Sequence, residues 1–239
     1  MSEVNLAKPA MSNRIILAIA IELAYAILTR TWLRAHAEGV GLELLLSGCR
    51  AVTIAAYWLL FKEIIQQRPR PHVAAQFTPL YFAGMLPLLL VPFLFDGGMP
   101  TDMTVRIIFG FTSIIVAVRE ELLYRGVVQT LLEDHFGRIS ALLLSSAIFT
   151  VYHYGAQPLT IVGAVGIFSL SYVLGLVYIR TGSLLVPIAM HAGYDAAWSF
   201  GPLVSNPLDD WWRLPFQLSG LALVAIWAKK RKTCSDSGP

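Results

Sequence analysis

The sequence predicts an all-α protein, a polytopic membrane helix bundle of about eight transmembrane helices in one domain. Three observations predict it. The 239 residues are 56% hydrophobic and only 14% charged, with a mean hydropathy of +0.63, whereas a soluble domain carries about 25% charged residues. The apolar residues gather into runs close to the roughly 20 residues that cross a bilayer. The basic residues between the runs divide unequally between the two sides that such a path would define.

The runs cover roughly 14–30, 40–62, 77–95, 104–132, 139–154, 159–179, 183–200 and 211–228. Lys8 and Arg14 precede the first. Ala24-Tyr25-Ala26 loosely mimics a leader cleavage site, but Glu22 interrupts the apolar stretch and more runs follow, so it reads as a first membrane helix. The longest connection, 62–76, contains Arg68-Pro69-Arg70-Pro71, which breaks a helix. With both termini cytoplasmic, the inner side holds Lys8, Arg14, Lys62, Arg68, Arg70, Arg138, Arg180, Lys229, Lys230, Arg231 and Lys232. The outer side holds Arg30, Arg34, Arg106 and Arg213, a division of eleven against four. Trp211 and Trp212 open the last run where indoles favour an interface. An even number of helices keeps Lys8 and Lys229–Lys232 on one side. Residues 1–232 read as a single membrane domain, and 233–239 as a disordered tail.

Composition also excludes classes. The net charge is +3, and the basic residues form no stripe, so no nucleic-acid partner is expected. The Lys229–Lys232 cluster reads as a topology anchor. Cys49 and Cys234 have no spacing that suggests a disulfide framework or a zinc knuckle.

Ionisable residues inside the runs carry the functional signal. Each costs about 2.5–3.5 kcal/mol at a helix centre on insertion scales, so it persists by pairing or by doing chemistry. Glu22 and Glu43 read as isolated residues near helix ends, snorkelled or packed at the interface. In the fourth run, Glu121 and Arg125 stand four apart on one face and read as an intrahelical ion pair. Glu120 points about 100° away from them and is free to face a cavity. The fifth run ends in Phe149-Thr150-Val151-Tyr152-His153. In the seventh, His191 and Asp195 share a face, with Pro187 one turn earlier to kink the helix. Counting about 1.5 Å per residue from the cytoplasmic ends puts Glu120 and Asp195 about 18 Å deep, His191 about 12 Å and His153 about 21 Å. Three helices thus bring acid–base groups to one level. A glutamate and a histidine can polarise a water, and a second histidine with a polar neighbour can stabilise an oxyanion. One carboxylate and two histidines (Glu120, His153, His191) also fit a divalent-metal site with an open water position. No cofactor is certain from the sequence, and a divalent metal such as zinc is the one it leaves open.

At these residues the chain resembles the CAAX protease and bacteriocin-processing (CPBP, or Abi) family of intramembrane endopeptidases. The three motifs of that family read here as Glu120-Glu121-x-x-x-Arg125, Phe149-x-x-x-His153 and His191-x-x-x-Asp195. The resemblance covers about residues 104–200; the other helices match only by count. It implies that Glu120 is the catalytic base, that His153 helps to activate water, and that His191 and Asp195 line an oxyanion site or bind metal. It implies a structural role for Glu121, Arg125 and Phe149. The family has been described both as glutamate proteases and as metalloproteases. Asp195 departs from the commoner asparagine: an ionised aspartate repels an oxyanion, so Asp195 either carries a proton or acts through His191 or a cation. The implied partners are the bilayer and a membrane-associated protein or peptide substrate. Compact loops and the lack of an organelle signal point to a bacterial inner membrane, where C-terminal processing of an anchored or exported protein is the expected task. The rival readings are a silent scaffold or bacteriocin-immunity protein, and a small transporter relaying protons through Glu120, His153 and Asp195. No paired repeats of the transporter kind are found.

Overall fold

The computed structural model describes residues 8–67, 86, 102–154, 160–200, 215, 218, 219 and 222. The expected runs 77–95 and 211–228, the Lys229–Lys232 cluster and the tail therefore lie almost wholly outside the described residues. Those described are almost entirely helical, and no strand occurs among them.

Helix α1 (Lys8–Ile27) runs on through a π-helical stretch, Leu28–Leu33, and a last turn, Arg34–His36. It is longer than its apolar run at both ends, so Glu22 lies well inside it. Helix α2 (Gly39–Gln67) starts at a glycine with φ 57°, a left-handed conformation that glycine adopts without strain. Helix α3 (Met103–Glu121) is capped by Asp102, whose carboxylate accepts from the Thr104 amide at 2.8 Å. A second π-helical stretch, Leu122–Gln129, follows directly, and then α4 (Thr130–His153). α4 breaks at Gly137 (φ 74°, ψ 168°), which falls between the expected runs 104–132 and 139–154. Helix α5 (Ile161–Thr181) begins at Thr160, whose hydroxyl accepts from Gly163 N at 3.1 Å. It ends at Gly182, in the left-handed region, whose amide reaches Tyr178 O at 2.8 Å. Helix α6 (Leu185–Phe200) completes the described set.

Three helices among the described residues are long and apolar enough to cross a membrane: Asn13–His36, Gly39–Gln66 and Ile161–Thr181. Large apolar side chains such as Ile16, Val52, Leu59, Val151 and Ile161 point outward, as they do when lipid is the solvent. The interior is built in two clusters. Tyr57, Phe61, Leu123, Tyr124, Val127 and Phe149 bind α2 to the π-helical stretch and α4. Leu142, Val173, Leu174, Val177 and Met190 join α4, α5 and α6.

Helix α6 packs along α3, and α2 packs on the other side of α3. Small residues permit the close approach. A Cβ at Gly110 would overlap the Phe200 ring, and one at Gly175 would meet Leu142 and Gln129. Helix α3 with its π-helical extension is thus surrounded, and its ionisable residues face neighbours on several sides.

Candidate active site

The expected residues come together, but on two sides of one helix. Glu121 is fully buried. Its Oε2 lies 3.1 Å from Arg125 Nε, one turn on. The π-helical stretch begins immediately after Glu121, so this pair survives a change from α to π geometry. The wider turn frees a carbonyl, and Thr130 Oγ1 donates to Arg125 O at 3.0 Å. Arg125 is as buried as Glu121 and donates through Nη2 to Ser171 O at 2.7 Å and Ser171 Oγ at 3.0 Å. The Phe149 ring lies beneath the same guanidinium, 5.1 Å from its carbon.

His191 reaches this cluster from α6. Its Nδ1 is 2.7 Å from Glu121 Oε1. A carboxylate oxygen only accepts, so Nδ1 carries the proton in this bond. Nε2 then faces Glu120 Oε2 at 3.8 Å and Asp195 Oδ2 at 3.7 Å. Glu121 makes the hydrogen bond that orients His191, and Asp195, one turn away, stands beyond hydrogen-bond distance.

Glu120 turns the other way. It lines a cavity of about 110 Å³ together with Tyr25, Thr29, Arg30, Arg50, Arg119 and His153. Such a volume is ample for water, which needs roughly 10–15 Å³ of such space. Among the described residues, Glu120 is the one carboxylate on the wall, and His153 the one imidazole. His153 ends α4, with Nδ1 bound to Phe149 O at 2.8 Å, which leaves Nε2 for another partner. Its ring packs on Phe149, centroids 4.5 Å apart, and Phe149 meets His191 edge-on at 6.1 Å. Phe149 thus spaces the two histidines. Arg30 fixes the end of α4, donating to Tyr152 O at 2.7 Å and Tyr154 O at 3.0 Å.

Two expectations are corrected. Glu22 and Glu43 are neither isolated nor snorkelled. Glu22 pairs with Arg119 and accepts from the Tyr57 hydroxyl. Glu43 accepts from Arg50 at 2.6 Å and from Thr112 Oγ1 at 2.7 Å. The reason is energetic: an unpaired charge at this depth is costly, and each finds a guanidinium on or beside its own helix. Ser171, Tyr57 and Thr53 were missed altogether, because an uncharged polar residue in an apolar run leaves no signal of its own. For Glu22 a signal existed, since Arg119 has no carboxylate one turn away.

The metal expectation meets a geometric test. Among the described residues no group of three or more His, Cys, Asp or Glu side chains is arranged to hold an ion.

Comparison with known proteins places this arrangement. The site and the apolar helices define a membrane protein with an acid–base constellation held between its helices. Residues 102–197 match the family model described as type II CAAX prenyl endopeptidase Rce1-like, the family that the three motifs resemble. Over 89 residues the chain is 35% identical to the uncharacterized protein YpbD of Bacillus subtilis (strain 168). That stretch is 37% of this chain and 42% of YpbD, so the chain spans less than half the length of the curated relative it matches. No solved structure matches significantly.

Proposed function

We propose that the chain is an intramembrane endopeptidase that hydrolyses a peptide bond of a membrane-associated protein, with Glu120 as general base. One observation carries this reading: Glu120 and His153 share the wall of one cavity, while the neighbouring Glu121 is held by Arg125 and His191.

A water in the cavity hydrogen-bonds to Glu120 and to His153 Nε2. Glu120 takes its proton as the oxygen attacks the substrate carbonyl carbon. A C–O bond forms and the carbonyl oxygen becomes an oxyanion. His191 can donate to that oxyanion only through Nε2, and only as imidazolium, since Nδ1–H is spent on Glu121. Asp195, beside Nε2, serves as the partner of that imidazolium rather than as a donor. Collapse breaks the C–N bond, and Glu120 passes its proton to the leaving amine. Glu121, Arg125 and Phe149 hold the two sides in place.

The finer reading is an eight-helix bundle in a bacterial inner membrane with both termini cytoplasmic, acting on the C-terminal region of an anchored or exported protein. The test is quantitative sequencing of protein C-termini in membranes that contain the wild-type chain or Glu120→Gln at equal abundance. We expect a set of new C-termini with the wild type that vanishes in the variant. Identical C-termini in both samples would sink the reading.

A further inference from the structure

Arg119 stands one residue before Glu120 and is 1% exposed. Three side chains from α1 and α2 hold it, and a fourth anchors one of the three. Glu22 Oε1 accepts from Nη2 and, at the same oxygen, from the Tyr57 hydroxyl. Thr53 Oγ1 accepts from Nε at 3.2 Å. The Tyr25 ring lies against the guanidinium, 3.7 Å from centroid to carbon. What remains is Nη1, 3.9 Å from Glu120 Oε1. That is beyond hydrogen-bond reach but well within Coulomb reach. None of these four side chains falls within residues 102–197.

A base at membrane depth has two conflicting needs. It needs a nearby cation, because an isolated carboxylate in a medium of low dielectric is costly. It also needs free lone pairs to take a proton from water. An arginine that closed on it through two parallel N–H···O bonds would occupy both oxygens. We infer that Glu22 is a positioning residue that meets both needs: anchored by Tyr57, it holds Arg119 close to Glu120 but off it. Without the Glu22 carboxylate, Glu120 is the next carboxylate in reach of Arg119, and the guanidinium turns onto it.

The catalytic half of this inference rests on Glu120 being the base; the geometric half does not. The experiment therefore has two arms on the full chain in membranes or detergent. The first is an experimental structure of Glu22→Gln. We expect the Arg119–Glu120 contact to close to about 3 Å, a true hydrogen-bonded pair. A contact still near 3.9 Å overturns the inference whatever the activity is. The second arm is kinetic, on a peptide that the wild type cleaves. Glu22→Gln should lower kcat by about 10–100-fold with KM within about twofold, the pattern of a lost transition-state contribution. Glu22→Asp, which keeps the charge, should stay within about fivefold of wild type. Glu22→Gln combined with Arg119→Gln removes the guanidinium that captures the base and leaves Arg50 on the cavity wall to compensate its charge, so it should exceed Glu22→Gln alone by at least about threefold, a coupling read from the mutant cycle. If Glu22 were only structural, the double variant would be no better than the single, and Glu22→Asp would fail with it. Should Glu22→Gln not accumulate, the Glu22→Asp structure decides: its Arg119 must remain off Glu120. A wild type that cleaves nothing would overturn the proposed function, and the structural arm would still judge the positioning.

Discussion

Glu120 and Glu121 are the same residue at adjacent positions, yet they meet opposite surroundings. Glu121 lies on the sealed side of α3, within reach of Arg125 and His191 and closed over by α5 and α6. Glu120 lies on the cavity side, where its nearest ionisable neighbours, Arg119 and His191, stop at 3.9 and 3.8 Å. A carboxylate held between a guanidinium and an imidazole at 3.1 and 2.7 Å is part of the scaffold. A carboxylate with charged neighbours at a distance is poised for chemistry, since it is compensated without being occupied. The difference is created by the turn angle of the helix, about 100° per residue, and by what each neighbouring helix brings to that angle.

The sharpest way to break this comparison is to exchange each glutamate for glutamine. Glu120→Gln should reduce cleavage by at least about 10³-fold, within the range expected for a positioned acid–base group. Its melting temperature in detergent should stay within about 2 °C of wild type, because Arg119 keeps Glu22. Glu121→Gln should do the reverse in kind: a loss of about 3–5 kcal/mol of stability, since Arg125 is left buried without its carboxylate. If Glu121→Gln melted like wild type while losing activity, the division between scaffold and chemistry would be wrong.

His153 tests the cavity side alone. His153→Gln keeps a hydrogen-bonding group at the helix end but loses imidazole basicity. It should lower kcat by about 10–100-fold, less than Glu120→Gln, because the base itself remains. Rates measured at saturating peptide check this. A loss as deep as that of Glu120→Gln would mean that His153 carries the proton and that the roles are exchanged.

The sequence made one side of this comparison more legible than the other. The ion pair Glu121–Arg125, the proximity of His191 to Asp195 and the break at Gly137 follow from helical spacing and from glycine, which are local properties. The contact of His191 with Glu121 and the grip of Glu22 on Arg119 join residues 70 and 97 positions apart. No spacing along one helix reveals them. The π-helical stretch after Glu121 was also hidden, because Leu122–Gln129 has no residue that excludes ordinary α geometry; its tertiary partners, Ser171 and Gln129 with Gly175 O, select it. Glu22 was misread for the same reason: it stands midway along the run 14–30, and only the fold brings Arg119 and Tyr57 beside it.

The smallest effect examines how the sealed side is held. Arg125 Nη2 donates to both the carbonyl and the hydroxyl of Ser171. Ser171→Ala removes only the hydroxyl, and the carbonyl bond at 2.7 Å remains. Side-chain hydrogen bonds between membrane helices contribute about 0.6 kcal/mol on average, because the competing state also finds partners. Ser171→Ala should therefore lower stability by about 0.6 kcal/mol and leave kcat within about twofold of wild type. A guanidinium with one partner fewer still has Glu121 to face and Phe149 beneath it. If this substitution instead reduced kcat as deeply as His153→Gln, Arg125 would be transmitting the position of α5 to the base, and the sealed side would belong to the chemistry after all. Unfolding in mixed micelles, run beside single-turnover cleavage, separates the two outcomes.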